Sequence, residues 1–304
     1  MLSCALTMLR IGIEMPPTTF TSATPADLAL LAREAAPFQF TRLENGHKRR
    51  TDKLSEVIEG SVPGATWLFV SPHDDDLCIG AGLTMQAARH AGVDVQVLIV
   101  TDGCLGYCRA EHRDSIVKIR RQETYESFEM LGIARDHVTY INYPDGGLTS
   151  YIGRRAARNL ESAIEGYVGL QNCFTYYLRE FRPTCVFVPT PTDLHPDHQI
   201  THNELLISLF HASGDIWPEL GAPLAVPQLF ELAIYCDFAD APNLEVRGND
   251  DVFQHKLRSI EAYRSQLQIA SLVDSIRQDG PYEYLRDVHF RLYSSKKYRP
   301  LFAD

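Results

Sequence analysis

The chain has 304 residues, of which 45% are hydrophobic, enough to bury a substantial core in one large α/β domain or a domain with extensions. A formal net charge of −10 argues against nucleic acid or an anionic membrane surface as the main partner, since both attract basic patches. Seven cysteines, odd in number and irregular in spacing, suit reduced thiols in a cytoplasmic protein better than a disulfide framework, and no run reaches the roughly 18 apolar residues that span a bilayer.

Residues 1–60 read as an N-terminal extension packed on a domain covering 61–304. The opening MLSCALTMLRIGIEM is apolar in flavour, but Arg10 and Glu14 interrupt it and no basic leader precedes it, so a signal peptide is not expected. Met8 and Met15 are alternative starts. A helix is expected over Ala26 to Ala35, and the polar stretch 37–60 is expected to wrap the outside.

Trp67 to Val70 show no amphipathic alternation, as suits a strand buried on both faces of a parallel sheet. The strand ends in His73, Asp74, Asp75 and Asp76. Three adjacent carboxylates repel one another and lose water if buried, so a bound cation would resolve a conflict that folding alone does not favour. Gly80, Ala81 and Gly82 then open a helix packed closely on that strand, ended by Gly92. VDVQVLIVTDG gives a second strand whose Asp102 either bonds near the site or caps the next turn. RDSIVKIRRQETYESFEMLGI reads as a long amphipathic helix with Ile116, Ile119, Phe128 and Leu131 facing inward. HVTYINY is a third strand, followed by the turn Pro144, Asp145, Gly146, Gly147. The stretch from Arg154 to Pro183 reads as one long helix, or two broken near Gly166 to Gly169.

A further buried run, Val186 to Val188, precedes His195, Pro196, Asp197 and His198, and a helix follows. Strand, polar tip and helix thus recur, and in open α/β sheets such tips converge beyond the carboxyl ends of the strands. Imidazole and carboxylate are usual zinc ligands, and a catalytic zinc takes about three protein ligands plus water. His73, Asp76 and His198 supply that set, one Zn²⁺ per chain. His202 shares the face of His198, where a contact behind the ligands or simple packing is expected. Cys104 and Cys108 are spaced too loosely for a metal site and suit packing. Trp217 to Pro227 reads as a loop, QLFELAIYCD as a strand and HKLRSIEAYRSQ as a helix.

SPHDDD followed much later by HPDH resembles the two signatures of the PIG-L/LmbE-like zinc-dependent de-N-acetylases. That resemblance implies a Rossmann-like α/β fold, a mostly parallel sheet flanked by helices. It implies His73, Asp76 and His198 as metal ligands, Asp75 as general base, His195 as the group that stabilises the tetrahedral intermediate, and Asp197 as the carboxylate that orients it. Arg120, in an Arg-x-x-Glu pair with Glu123, resembles an arginine that faces the substrate, with a surface ion pair as the competing reading. Asp145 stands where the family presents a carboxylate to sugar hydroxyls, with a plain turn aspartate as the alternative. Asp74 departs from the pattern, standing where Pro is common, as does Leu77, where an acidic residue is common. The implied activity is zinc-dependent removal of an N-acetyl or N-acyl group from an amino sugar or glycoconjugate, in a cytoplasmic protein compatible with a homo-oligomer. Two other classes remain in view: a Mg²⁺- or Mn²⁺-dependent phosphoester hydrolase or nucleotide-sugar transferase, because Asp-rich strand tips also hold hard cations, and a non-catalytic glycan-binding protein.

Overall fold

The computed structural model describes residues 36–44, 46–290 and 293–303. The helix expected over Ala26 to Ala35 lies outside the described residues, as does the apolar opening. Pro37–Asp304 forms one compact unit.

Residues 37–60 do not simply wrap the outside, as their polarity predicts; they supply β1 (Phe38–Glu44) and β2 (His47–Thr51) to one edge of a nine-stranded sheet. Alternation decides this: Phe38 and Phe40 point into the core, while β2, HKRRT, turns charge to solvent as a protected edge strand does. The centre of the sheet follows the expected run of strand and helix. It comprises β3 (Thr66–Ser71), α1 (Asp76–His90), β4 (Asp94–Thr101), α2 (Ile116–Met130) and β5 (Val138–Tyr143).

The stretch from Arg154 is not a long helix. It forms the two-stranded pair β6 (Arg155–Ala156) and β7 (Tyr167–Val168), and only Leu170–Phe181 is helical, as α3. Its helix-favouring composition is overruled by tertiary context. Leu160 and Glu165 adopt positive φ, Leu160 is fully exposed, and Glu161 folds back on Arg155 instead of capping a turn. The break falls where the glycines predict it. At Gly169, with φ +114°, a Cβ would lie 2.2 Å from the carbonyl oxygen of Gly153.

Beyond it come β8 (Cys185–Pro189), α4 (Pro196–Ser213), β9 (Gln228–Leu232), β10 (Leu244–Gly248), α5 (Asp250–Glu261), α6 (Ile269–Asp279) and β11 (Tyr282–Val288). Strands β9, β8, β3, β4 and β5 are parallel in that spatial order. Strands β11, β10, β1 and β2 extend the sheet antiparallel beyond β9.

Both faces of the parallel part are covered. Trp67 and Phe69 pack with Val97, Ile99, Phe187 and Phe230 on one side, and Leu68 and Val70 with Leu98, Val100, Val186 and Val188 on the other. Phe69 stacks on Phe187 at 4.2 Å between ring centroids. Each such side chain, fully buried, contributes roughly 1.5–3 kcal/mol, which accounts for the unbroken apolar runs. From β3 the chain passes outward through β4 to β5 and then returns to β8 on the other side of β3. The crevice at that reversal is where the HDDD and HPDH tips meet. Helix α1 approaches it closely because Gly80 lacks a side chain: a Cβ there would lie 2.4 Å from Cδ1 of Ile234. Among the described residues no helix is long and apolar enough to cross a membrane.

Candidate active site

Each polar tip is also a helix start. Asp75 is the N-cap of α1 and Asp76 its first residue, and His195 caps α4, its Nδ1 accepting from the backbone N–H of Asp197 at 3.2 Å.

The two imidazoles of His73 and His198 face one another across 3.2 Å, His73 Nδ1 to His198 Nε2. Asp76 completes the group, with Oδ2 lying 3.4 Å from His73 Nδ1 and Oδ1 3.4 Å from His198 Nε2. The outer nitrogens are turned to carboxylates: His198 Nδ1 lies 3.2 Å from Asp193, and His73 Nε2 lies 3.2 Å from Asp145 and 3.6 Å from Asp197. Placing the ring protons on those outer nitrogens leaves two lone pairs facing one another beside the Asp76 carboxylate. Lone pairs so aimed repel unless a proton or a cation lies between them.

The protonation balance agrees. Burial alone would depress His73, but Asp76, with Asp145 and Asp197, outweighs it and holds the pKa well above the usual histidine range. Burial likewise opposes His198, yet Asp76 and Asp193 push it up to about 9. Burial would raise Asp76, but His198 and His73 hold it well below the usual carboxylate range.

The donor set fits zinc. With zinc–ligand distances of about 2.0–2.1 Å, neighbouring ligands of a tetrahedral ion stand about 3.3 Å apart. The 3.2 Å separation of the two imidazole nitrogens matches that edge, and Asp76 offers Oδ2 at 3.4 Å from His73 and Oδ1, buried without a hydrogen-bond partner, at 3.4 Å from His198. His195 also comes within 4.8 Å of both imidazoles by a ring nitrogen, and Asp145 and Asp197 come as close to His73. The carboxylate of Asp76 lies 3.4 Å from each inner nitrogen.

Asp75, 5% exposed, accepts from Arg120 Nη2 through Oδ1 at 3.1 Å. Burial lifts its pKa to about 6; the Arg120 guanidinium opposes this, and the charges of Asp74 and Asp76 add to it. The inner face of α2 carries Arg120, Glu123, Thr124 and Ser127, a polar stripe where the amphipathic spacing predicts apolar residues; Ile116 and Phe128 are buried as expected. Arg120 is not a surface ion pair: its guanidinium is buried, forks onto Asp74 and reaches Asp75. Glu123 accepts from the backbone N–H and hydroxyl of Ser265, which ties the chain just after α5 to this helix.

Asp145 is a turn aspartate that also borders the histidines. It accepts from the N–H of Leu105 at 3.1 Å while its other oxygen faces His73. Asp102 is the turn's organiser, its Oδ1 accepting from the N–H groups of Cys104 and Asp145. The carboxylate of Asp197 does not take the imidazole of His195. It accepts from the N–H of Gly146 at 2.8 Å, at a φ of +71° that favours glycine. His202 turns away from the ion site to Glu231 at 3.0 Å, as its expected packing role requires. Cys104 and Cys108 are free thiols.

Asp193 escaped the sequence reading. It holds His198 Nδ1 and accepts from the N–H groups of His195 and Tyr235. A carboxylate behind a ligating histidine commonly fixes its ring, and its signal was the Asp two residues before HPDH. Tyr235 lies beside His198 at 5.6 Å between ring centroids, and nothing in its local sequence announces it.

The family model described as PIG-L: GlcNAc-PI de-N-acetylase matches residues 68–208. Diacetylchitobiose deacetylase from Thermococcus kodakarensis is 28% identical over 207 residues, covering 66% of this chain and 69% of that protein. A 1D-myo-inositol 2-acetamido-2-deoxy-alpha-D-glucopyranoside deacetylase from Kineococcus radiotolerans is 34% identical over 182 residues, 53% of this chain and 48% of the other. Among solved structures, the conserved protein TT1542 from Thermus thermophilus superposes with a TM-score of 0.59 at 25% identity, covering 76% of this chain and 97% of that one.

Proposed function

We propose that this chain, whose residues 68–208 match the PIG-L: GlcNAc-PI de-N-acetylase family model, hydrolyses the N-acetyl or N-acyl amide of an amino sugar or glycoconjugate, using one zinc ion held by His73, Asp76 and His198. The observation that carries the reading is the approach of two buried imidazole nitrogens to 3.2 Å beside the Asp76 carboxylate, 3.4 Å from each, with Asp145 and Asp193 each 3.2 Å from an outer nitrogen. Bound there, zinc would polarise the amide and bring the pKa of water from about 16 towards 7.

The chain's own groups divide the remaining work. Asp75, ionised above about pH 6, takes the proton of the attacking water. Arg120 grips its Oδ1, leaving Oδ2 for the proton, and the acid so formed donates to the departing amine. His195 is held neutral: burial lowers its pKa, and the neighbouring His73 and His198 lower it further against Asp197 and Asp76. Its Nδ1 is occupied as an acceptor by the N–H of Asp197, so the proton resides on Nε2, where it can be donated to a developing oxyanion. Asp145 and Asp197 hold the ring of His73 in place. The two related deacetylases named above act on N-acetylated sugars, which supports the substrate class. Six described cysteines are free, in keeping with a cytoplasmic setting.

Hard-cation phosphoester chemistry is disfavoured by two imidazoles at the centre of the donor set, and a merely glycan-binding role leaves the buried Asp75–Arg120 arrangement unused. The test is acetate release from N-acetylated sugars and glycolipids with zinc and with chelator, alongside the zinc content of His73→Ala, Asp76→Ala and His198→Ala. Full zinc loading in those variants, or acetate release indifferent to the chelator, would overturn the proposal.

A further inference from the structure

We propose that Asp74 withdraws Arg120 from substrate recognition, so that this site selects uncharged N-acetylated amino sugars over their phosphate esters; this rests on the deacetylase reading above.

Arg120 is buried beside Asp75 and projects from the inner face of α2. Its Nε donates to Asp74 Oδ2 at 3.2 Å, and its Nη2 is shared between Asp74 Oδ1 and Asp75 Oδ1. Asp74 is fixed in turn: Thr124 Oγ1 donates to its Oδ2 and the Tyr263 hydroxyl to its backbone carbonyl. Two glycines let the guanidinium lie flat against the loop. A Cβ at Gly106 would stand 2.3 Å from Nη1, and one at Gly103 would stand 3.3 Å from Nε. Such a bidentate pair consumes the fork that would otherwise receive a phosphate.

What remains around the crevice is acidic. Asp74, Asp75, Asp76, Asp145, Asp193 and Asp197 are all buried there against one guanidinium, and the two charges of a divalent ion leave the site net negative. The arginines of the neighbouring groove do not supply the missing cation. Arg109 lies 4.0 Å from Glu111, Arg264 is paired with Glu126, and Arg277 with Asp274 and Glu261. A phosphate brought into this field meets like charge on most sides.

The experiment compares kcat/KM of the zinc-loaded protein for N-acetylglucosamine with that for its 1-phosphate and 6-phosphate at low and high salt. Asp74→Asn is run in parallel. The neutral sugar should be preferred by about tenfold or more, as like charges in a medium of effective dielectric about 20 imply, and the gap should narrow with salt. In Asp74→Asn the ratio between the two substrates should move towards unity; because it is a ratio, any general loss of activity cancels. A wild-type protein that processes either phosphate as well as the neutral sugar overturns the selection, and an unchanged ratio in Asp74→Asn overturns the role of Asp74. Calorimetric titration with the same sugars separates this from the parent reading. Zinc-loaded protein that binds the neutral sugar over its phosphates yet releases no acetate upholds the selection and refutes deacetylation, whereas release from the phosphates at equal efficiency does the reverse.

Discussion

Asp193 offers the sharpest quantitative test of the ion site, because it can be altered without touching a proposed ligand. Its Oδ2 meets His198 Nδ1 at 3.2 Å and the N–H of Tyr235 at 3.3 Å, and its Oδ1 takes the N–H of His195 at 3.0 Å. Asp193→Asn keeps the shape but only one acceptor oxygen. With that oxygen towards His198 and Tyr235, the amide group confronts the N–H of His195, leaving one buried donor unpaired at a cost of about 1–3 kcal/mol. The opposite orientation sets it against two donors and costs more. The first orientation therefore prevails, and His198 keeps a neutral acceptor in place of a carboxylate. Loss of such a partner typically weakens metal affinity by about 10–100-fold, which is about 1.4–2.8 kcal/mol. Zinc affinity measured by competition with a chromogenic chelator should fall by that factor in Asp193→Asn and further in Asp193→Ala, with near-native circular dichroism in the former. Wild-type affinity in both variants would show that His198 is not a ligand, or that Asp193 does not orient it.

Three further outcomes follow from single groups. Asp75→Asn should retain zinc yet lose about 10²–10⁴-fold in kcat, and wild-type activity should decline on the acid side as Asp75 is protonated near its pKa of about 6, since only the ionised form accepts the proton; a flat profile across that region would remove Asp75 as base. Arg179 donates to the carbonyl oxygens of His211, Ala212, Gly214, Ile216, Trp217 and Gly221, closing the loop after α4. Arg179→Ala should therefore lower unfolding free energy by about 3 kcal/mol or more, unrescued by Lys, in denaturant titration. Glu231 is buried; burial would raise its pKa, but His202 and Arg286 outweigh that and lower it. A depressed carboxylate adds stability above its unfolded pKa and forfeits it as pH falls through the folded value, so Glu231→Gln should flatten the acid limb of a stability–pH curve. An unchanged limb would show that the pairing contributes nothing.

The parallel half of the sheet and the two polar tips were legible because their signals are local: apolar runs of strand length, each ending in histidines and carboxylates. The antiparallel half was not. In β11 the buried alternate positions are Glu283, Leu285 and Asp287, while Tyr282 and Tyr284 face outward, so the usual pattern is inverted. That inversion is tolerable only because of partners far away in sequence. Glu283 accepts from Lys256 and from the N–H groups of Leu83 and Thr84, and Asp287 pairs with Arg42. Arg120 illustrates the same limit within the site: the resemblance pointed it towards substrate, but only tertiary structure reveals that Asp74, one of two residues departing from that pattern, occupies its guanidinium.

The placement of both motifs at strand-to-helix joints has an electrostatic reason. A helix N-terminus carries unpaired N–H groups and a partial positive charge, so carboxylates at the first positions of α1 and α4 are favoured, whereas an imidazolium beside them is not. Asp75 and Asp76 stand at the start of α1, and Asp197 in the first turn of α4. His73 and His198 are pulled the other way by those same carboxylates, which would protonate them if nothing else supplied positive charge. A divalent ion would satisfy both demands at once: it would offset the carboxylates and leave the imidazoles neutral, the form in which histidine binds metals. The acidic cluster thus belongs to the same design as the fold, the sheet reversal bringing together two helix starts whose competing charges the proposed ion would resolve.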